Sequence, residues 1–448
     1  MLLFNKWKVI LRHCYLLFFI LISASVCNAV WASAYQVSNY FYSAVAIGDG
    51  GAGGAALAND ASTSFSNPAG LVRISDQQFV IGSTLLDIKT KFSGSNTWST
   101  SSPLLPPPVN IYTEMGTANG GESQIVPTLH FSTPFNNKWK LGLSAAPTYG
   151  LITSYDSESV IRYGSTKSQL EVLDISPALA YEVNEHFSLG AGIDFAHAEL
   201  TYQAMAGVPS LSSPPTANDV LSDNHAKGWG YGLHGGFLYQ FSPATRLGFH
   251  YRSRLTVNAL GKSEVSGNSL YIATGFNDDF KTRIVLPAVS TLSAYHEFNH
   301  RWSFDGSINY TQWSNIPHNL NFYNIATPTP VDASIPWNYR NTWLIAVGGN
   351  YQIDSAFLIR AGIQYDQTPV KNHERITAVP DSNRIGASIG AHYQANKKLG
   401  IDIGWTHLFL NSANVSAPIT VGAQTSTPNG SYRTYADLIS GQLVWNLG

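Results

Sequence analysis

The chain has 448 residues, more than one small soluble domain needs, and only 12% are charged, about half the usual share in soluble globular proteins. With 26 basic and 28 acidic residues the formal net charge is −2, so the composition offers no basic face for nucleic acid. Both cysteines, Cys14 and Cys27, lie near the N-terminus, which excludes disulfides, thiol catalysis and cysteine metal sites from the rest of the chain.

The N-terminus is predicted to be a secretory signal over residues 1–34. Lys6, Lys8 and Arg12 precede a short apolar run at 15–22, and small residues near position 34 resemble a cleavage site. An N-terminal anchor helix is the alternative, but the apolar run is short for a membrane span. We therefore expect an exported protein.

Residues 35–74 are rich in glycine, alanine and other small side chains and show no strand-like alternation. The pattern predicts short helical turns broken by glycine. Gly48, Gly50 and Gly53 match a dinucleotide-binding pattern, but the βαβ unit that such a site requires is missing, so we expect no nucleotide there. A disordered leader is the alternative, and apolar residues such as Ile47 argue against it.

From residue 75 onward, apolar and polar side chains alternate with a period of two, which predicts strands. Six short polar turns, each with an aromatic or apolar residue at its ends, join pairs of these strands; they lie at 131–139, 181–190, 239–248, 296–302, 351–357 and 393–399. Six pairs with one strand before and one after give about fourteen strands, an even number that places both termini on the periplasmic side. Long outward connections are expected at seven places, near 92–121, 151–168, 204–227, 259–281, 314–340, 367–383 and 410–431.

The segment around Trp229 shows the alternation most clearly. Trp229, Tyr231 and Leu233 share one face, whereas Gly232 and His234 share the other. A β-sandwich in water would give the same period, but it would not usually repeat Trp and Tyr at strand ends, where membrane interfaces lie. We predict an all-β fold: a transmembrane antiparallel β-barrel (75–448) of about fourteen strands, with 35–74 as a mostly helical hatch inside the lumen.

Several phrases, in this order along the chain, resemble the FadL/TodX family of outer-membrane transporters for long-chain fatty acids and hydrophobic compounds. They include Asn67-Pro68-Ala69, the residues at 148–151, and the Trp337–Arg340 phrase. The resemblance implies a fourteen-stranded barrel whose hatch contains Asn67, Pro68 and Ala69. It also implies passive uptake, in which a ligand passes from an outer groove to a lumenal pocket and leaves sideways beside a kinked third strand.

The third strand, predicted over 139–152, carries the candidate lateral gate: Pro147, Tyr149 and Gly150. Proline removes a ladder donor and glycine weakens a strand, so either residue can interrupt pairing. The residues alone favour an ordinary bend where a strand meets its loop. The family resemblance implies a gap instead.

A fatty-acid carboxylate needs a cation, and the resemblance implies Arg340, since the family carries a basic residue in that phrase. Arg252 and Arg254, which we expect on the same polar strand face, are further ligand candidates. The alternatives are a solvated loop arginine and a lumenal ion-pair network, which we favour for Arg360. Apolar residues in two long loops predict a surface groove; they are Leu211, Leu221, Tyr271, Ile272 and Phe276.

Together these features predict a non-enzymatic channel of the outer membrane that acts as a monomer, with no cofactor and no metal. Its partners would be outer-membrane lipid and a hydrophobic ligand, with long-chain fatty acids preferred and an aromatic hydrocarbon as the alternative. A general porin is disfavoured because a hatch blocks free diffusion. A lipid hydrolase built on Ser388 and His392 is disfavoured because no nucleophile motif surrounds them.

Overall fold

The computed structural model describes residues 35–102, 105–207, 219–267, 278–325, 330–421 and 424–447. The predicted signal at 1–34 lies outside these residues. So do four of the predicted groove residues, namely Leu211, Tyr271, Ile272 and Phe276.

Within the described residues, fourteen strands pair antiparallel into a closed ring, each with its neighbour in the chain, and the first also pairs with the last. The strands are β1 (Gln78–Ser102), β2 (Ser123–Pro134), β3 (Trp139–Ser154), β4 (Lys167–Asn184), β5 (Phe187–Ala206), β6 (Val220–Ser242), β7 (Thr245–Arg252), β8 (Val289–Glu297), β9 (Trp302–Thr311), β10 (Thr342–Gln352), β11 (Phe357–Asp366), β12 (Arg384–Gln394), β13 (Leu399–Leu410) and β14 (Gln424–Asn446). The predicted fold class is confirmed.

The six predicted short turns are the hairpins β2–β3, β4–β5, β6–β7, β8–β9, β10–β11 and β12–β13. Local side-chain chemistry closes several of them. Asn136 Oδ1 accepts from the backbone N–H groups of Lys138 and Trp139, both at 2.9 Å, and Asn396 does the same for Lys398. Such bonds mimic a backbone turn, which explains why these hairpins are visible in the sequence.

Several of the predicted long connections are wrong in extent because much of their length is strand. β1 continues to Ser102 and pairs with a strand at Leu105–Asn119, inside the connection expected near 92–121. Strands at Leu255–Ser266 and Asp278–Leu286 extend β7 and β8, and strands at Asn319–Asn324 and Pro330–Pro336 form a hairpin between β9 and β10. These stretches lack the regular outward apolar alternation of the lipid-facing part, so the sequence suggested loops.

The apolar faces of the strands point outward. Trp229, Tyr231 and Leu233 are 51%, 67% and 62% exposed, whereas His234 on the opposite face is buried. An exposed apolar band of this kind suits lipid rather than water.

The segment before β1 contains helices α1 (Ala44–Gly48) and α2 (Thr63–Ser66) and a 3₁₀ turn at Pro68–Arg73. It begins with a two-residue strand at Tyr35–Gln36. Short 3₁₀ turns at Trp313–Asn315 and Asn372–Glu374, and short strands at Ala413–Val415 and Ile419–Val421, lie in the longer connections. No helix among the described residues has the length and apolarity needed to cross a membrane.

Candidate functional site

The segment 35–74 lies inside the ring and is bonded to its inner face at several points. The Ala44 N–H donates to Gln442 Oε1 at 2.9 Å, and the Ala55 N–H donates to Ser293 Oγ at 3.0 Å. These acceptors lie on β14 and β8, on separate parts of the wall. The segment therefore spans the lumen, as expected of a hatch.

The Asn67-Pro68-Ala69 phrase anchors this segment. Asn67 is fully buried, and its Nδ2 donates to the carbonyl oxygens of Ala55 at 2.7 Å and of Phe237 on β6 at 3.0 Å. Its Oδ1 accepts from the Ala69 N–H at 3.2 Å, while Pro68 occupies the first position of the 3₁₀ turn, where a missing N–H costs nothing. One side chain thus caps a turn and joins two parts of the hatch to the wall.

Glycines on the wall allow the hatch backbone to approach closely. A Cβ at Gly362 would lie 1.9 Å from the Asp49 carbonyl oxygen, and one at Gly248 would lie 1.8 Å from that of Ala55. No side chain fits at either place. Burial raises the pKa of the Asp49 carboxyl in this interface well above its ordinary value.

The candidate ligand residue Arg252 is buried and already paired. Its guanidinium donates to Asp174 at 2.7 Å and to Asp194 at 2.5 Å, and it lies over the Phe65 ring of the hatch at 4.3 Å. Asp194 also contacts His234 Nδ1 at 2.6 Å. Two carboxylates balance this charge, so the arrangement braces β4, β5 and β7 against the hatch.

Arg254 does not share the inner face with Arg252, and that part of the prediction is wrong. Ser253 and Arg254 form a break between β7 and its extension, and Arg254 is exposed. The Ser253 Oγ accepts from the Leu233 N–H at 2.8 Å in place of a regular ladder partner. This irregularity shifts the alternation by one residue.

Other buried lumenal arginines are paired as well. Arg360 contacts Asp402 at 3.1 Å, as the ion-pair interpretation predicted. Arg384 donates to Asp366 and, at 3.1 Å, to Asp381. Buried Arg246 differs from these two: it donates to the hatch carbonyl oxygens of Ala56 at 2.6 Å and Leu57 at 2.7 Å instead of to a carboxylate.

Arg340 lies at the end of the barrel opposite the short turns and is exposed. Its Nε donates to the Thr368 carbonyl oxygen at 3.2 Å. Arg375 is close enough to Arg340 for the two charges to interact. It is 2% exposed and donates to the carbonyl oxygens of Asp381 and Asn414, both at 2.7 Å. Burial lowers the pKa of Arg375, and the charge on Arg340 lowers it further, although Asp381 opposes both effects. Arg340 therefore keeps an exposed guanidinium beside a second cation.

The pairing of β2 with β3 stops before the outer ends of these strands. The last rung joins Leu129 to Ala145, and continuing that register would place Pro127 opposite Pro147. Neither proline has an N–H to donate, so this rung lacks both possible donors. The β3–β4 register also shifts between Pro147 and Tyr149. Sequence reasoning singled out Pro147 but missed Pro127, which becomes relevant only once the register is known.

The first described residues occupy the free edge of β3. Tyr35 and Gln36 pair with Gly150 and Tyr149, and the Val37 N–H donates to a β3 carbonyl oxygen at 3.0 Å. The third strand is thus bonded to the N-terminal segment where it is not bonded to β2.

Tyr149 holds this region against the far wall. It is 1% exposed, its hydroxyl donates to the Pro287 carbonyl oxygen at 2.5 Å, and its ring meets Trp313 edge-on at 6.1 Å between centroids. All three residues of the candidate gate, Pro147, Tyr149 and Gly150, therefore lie at the place where pairing is interrupted.

A small, partly open pocket of about 20 Å³ adjoins the interruption. Its described lining is mostly apolar: Ile88, Thr90, Leu151, Ile152, Thr153, Val379, Pro380, Asp381, Leu410 and Thr434. Asp381 is the charged residue of that set. Burial raises the pKa of its carboxyl, and the adjacent Arg384 opposes that rise.

Ser388 and His392 are not brought together as a catalytic pair. The Ser388 hydroxyl bonds Thr406 Oγ1 at 2.8 Å, and His392 bonds Asp402 at 3.0 Å and Gln394 at 3.2 Å. Among the described residues, no group of three or more His, Cys, Asp or Glu side chains is arranged to hold a metal ion. Leu221, the described groove candidate, lies half-buried on β6.

A closed barrel with an apolar outer band and its own N-terminal segment inside the lumen is the architecture of an outer-membrane transport protein. The chain belongs to the outer membrane protein transport protein family (OMPP1/FadL/TodX), whose family model matches residues 23–443. The resemblance seen in the sequence is thereby confirmed.

Two relatives cover nearly the whole chain. Outer membrane protein P1 of Haemophilus influenzae is 26% identical over 439 residues, 91% of this chain and 94% of that protein. A long-chain fatty acid transport protein of Salmonella typhi is 26% identical over 415 residues, 88% of this chain and 91% of that protein.

Two solved structures share the fold. A FadL homologue of Pseudomonas aeruginosa matches with a TM-score of 0.80 at 23% identity, covering 93% of this chain and all of that one (100%). The toluene transporter TodX of Pseudomonas putida matches with a TM-score of 0.68 at 17% identity, covering 91% and 99%.

Proposed function

We propose that this protein takes up hydrophobic and amphipathic compounds passively across the outer membrane, with long-chain fatty acids as the preferred cargo. A similar protein, matched over 91% of its length, is named for that cargo. Each buried methylene contributes about 0.8 kcal/mol, so an apolar cavity favours an acyl chain over a water-filled route. In this proposal residues 1–34 are a removed signal, 35–74 are the hatch, and 75–448 are the barrel, which acts as a monomer.

The ligand leaves sideways between β2 and β3 in this proposal. The observation that carries it is the missing pairing beyond Leu129 and Ala145, next to a small, mostly apolar pocket. Short turns of such barrels usually face the periplasm, so both termini lie there and the opening lies toward the outer half of the wall.

Restoring the missing donors tests the exit. The double substitution Pro127→Val and Pro147→Val returns an N–H to each strand, and we expect β2 and β3 to pair further. Uptake of a fluorescent fatty acid by cells should fall at least tenfold while binding to the purified protein persists. Pro134→Val, at the paired end of β2, serves as the control. Unchanged uptake in the double variant would refute lateral exit.

An aromatic hydrocarbon is the second candidate cargo. The described pocket lining is mostly apolar, and its one charged residue, Asp381, is already paired with Arg384, so this lining offers no free cation to an anionic ligand. A toluene transporter shares the fold. If Arg340 anchors a carboxylate, Arg340→Ala should weaken fatty-acid binding about tenfold or more and leave toluene binding unchanged, with exposed Arg254→Ala as the control. Unchanged fatty-acid affinity would favour the uncharged cargo.

A further inference from the structure

Two cations face each other on the outer surface of the barrel, where the first strand, β1, pairs with the last, β14. Lys91 on β1 and Arg433 on β14 are direct cross-strand partners, and both side chains are exposed. Like charges directly opposite each other destabilise a sheet. An unbalanced pair at this position therefore suggests an anion supplied from outside the chain.

The neighbouring residues leave this pair without a protein counter-ion. Lys89, on the same face, contacts Asp87 at 3.0 Å, so that carboxylate is already engaged. Across the part of the chain that the structure describes, neither Lys91 nor Arg433 forms an ion pair with a carboxylate. On the other side of Lys91, its partner Asn119 is exposed and adds an amide donor.

The pair lies at the edge of the apolar band. Tyr435, two residues from Arg433, is 48% exposed, and its partner Phe409 on β13 is 55% exposed. Two strand residues span about 7 Å, similar to the roughly 5–7 Å depth of one polar headgroup layer. The cations are thus at headgroup level. Tyr435 is the direct partner of Lys89, so the two rings lie at the boundary between headgroups and acyl chains.

We propose that Lys91, Arg433 and Asn119 bind the phosphate of an anionic lipid in the outer leaflet, whose acyl chains lie along Tyr435 and Phe409. Guanidinium binds phosphate through paired hydrogen bonds, and a lysine adds a point charge. Exposed aromatic rings directly beneath the cations favour a lipid over a soluble anion. The inference rests on the proposed orientation, in which this end of the barrel faces outward.

Native mass spectrometry of the purified protein in detergent tests the site. The probe is an acylated glucosamine disaccharide bisphosphate, compared with its dephosphorylated form. The double variant Lys91→Gln and Arg433→Gln should bind the bisphosphate at least tenfold more weakly and the dephosphorylated lipid equally. Lys91→Arg with Arg433→Lys should retain most of the binding. The matched control neutralises Lys397 and Lys398, two exposed lysines in a short turn at the other end of the barrel.

Three outcomes overturn the proposal: undiminished bisphosphate binding by the double variant, equal loss in the control, or full displacement by inorganic phosphate at lipid-equivalent concentrations. The Tm measured without phosphorylated lipid is the control for folding. Removing the like-charge pair should raise the Tm of the double variant or leave it unchanged. Fatty-acid binding should be unaffected, so failure of this site and failure of the transport proposal are distinguishable.

Discussion

Replacing Asn67 should release the hatch from the barrel wall. Asn67→Ala removes two donated bonds, at 2.7 and 3.0 Å, and the accepted bond at 3.2 Å that caps the 3₁₀ turn. A buried group deprived of its partner costs about 1–3 kcal/mol, and a lost cap about 1 kcal/mol. Only the bond to Phe237 joins the hatch to the wall, so docking should weaken by about 2 kcal/mol, which is about thirtyfold in the open population.

Cysteine labelling measures that population. The chain has no cysteine after residue 34, so in a chain expressed with a cysteine-free signal in place of residues 1–34, Ser64→Cys, at a fully buried hatch position, gives a single reactive thiol. When reclosing is faster than labelling, the maleimide reaction rate follows the open fraction. We expect about thirtyfold faster labelling with Asn67→Ala and no change with exposed Asn411→Ala.

The isosteric Asn67→Asp variant separates hydrogen bonding from packing. The aspartate side chain fills the same volume but turns an acceptor toward the two carbonyl oxygens that Asn67 Nδ2 now serves. This variant should label at least as fast as Asn67→Ala. If Asn67→Asp labels at the unmodified rate while Asn67→Ala labels quickly, packing rather than hydrogen bonding holds the hatch. If neither variant labels faster, the phrase is not an anchor.

Three further perturbations test the hatch and the gate. Gly362→Val should displace α1 and raise planar-bilayer conductance, since a Cβ there would lie 1.9 Å from the Asp49 carbonyl oxygen. Gly441→Val is the control, because a Cβ at that position has no atom within 4 Å and should leave the conductance unchanged. Val37→Pro removes a donor to β3 at 3.0 Å and should increase fatty-acid uptake in cells. Because burial raises the pKa of Asp49 when the hatch is docked, docking should weaken, and thiol labelling accelerate, as pH rises from about 4 through that raised pKa. Asp49→Asn should reduce this slope.

Local sequence patterns predicted the barrel well because each strand pairs with its neighbour in the chain, and the turn between them specifies that pairing. Each short turn carries its own closing residue, such as Asn136, and the strand count follows from the turns. Non-local features could not be predicted in the same way. Pro127 matters only opposite Pro147, and Arg252 receives its carboxylates from two other strands. The exposure of Arg254 depends on one irregular residue, which a strict period of two misses.

The lumen and the wall offer a ligand very different routes. An axial path would pass paired charges such as Arg252 and Arg360 and would require the bonded hatch to leave. An acyl chain of ten methylenes that meets water there loses about 8 kcal/mol. Beside the interruption, the free edge of β3 is held by a few backbone bonds to Tyr35–Gln36 and Val37 and by the Tyr149 hydroxyl, each bond contributing about 1 kcal/mol. This comparison supports the proposed lateral exit, by which the ligand would enter lipid without crossing water.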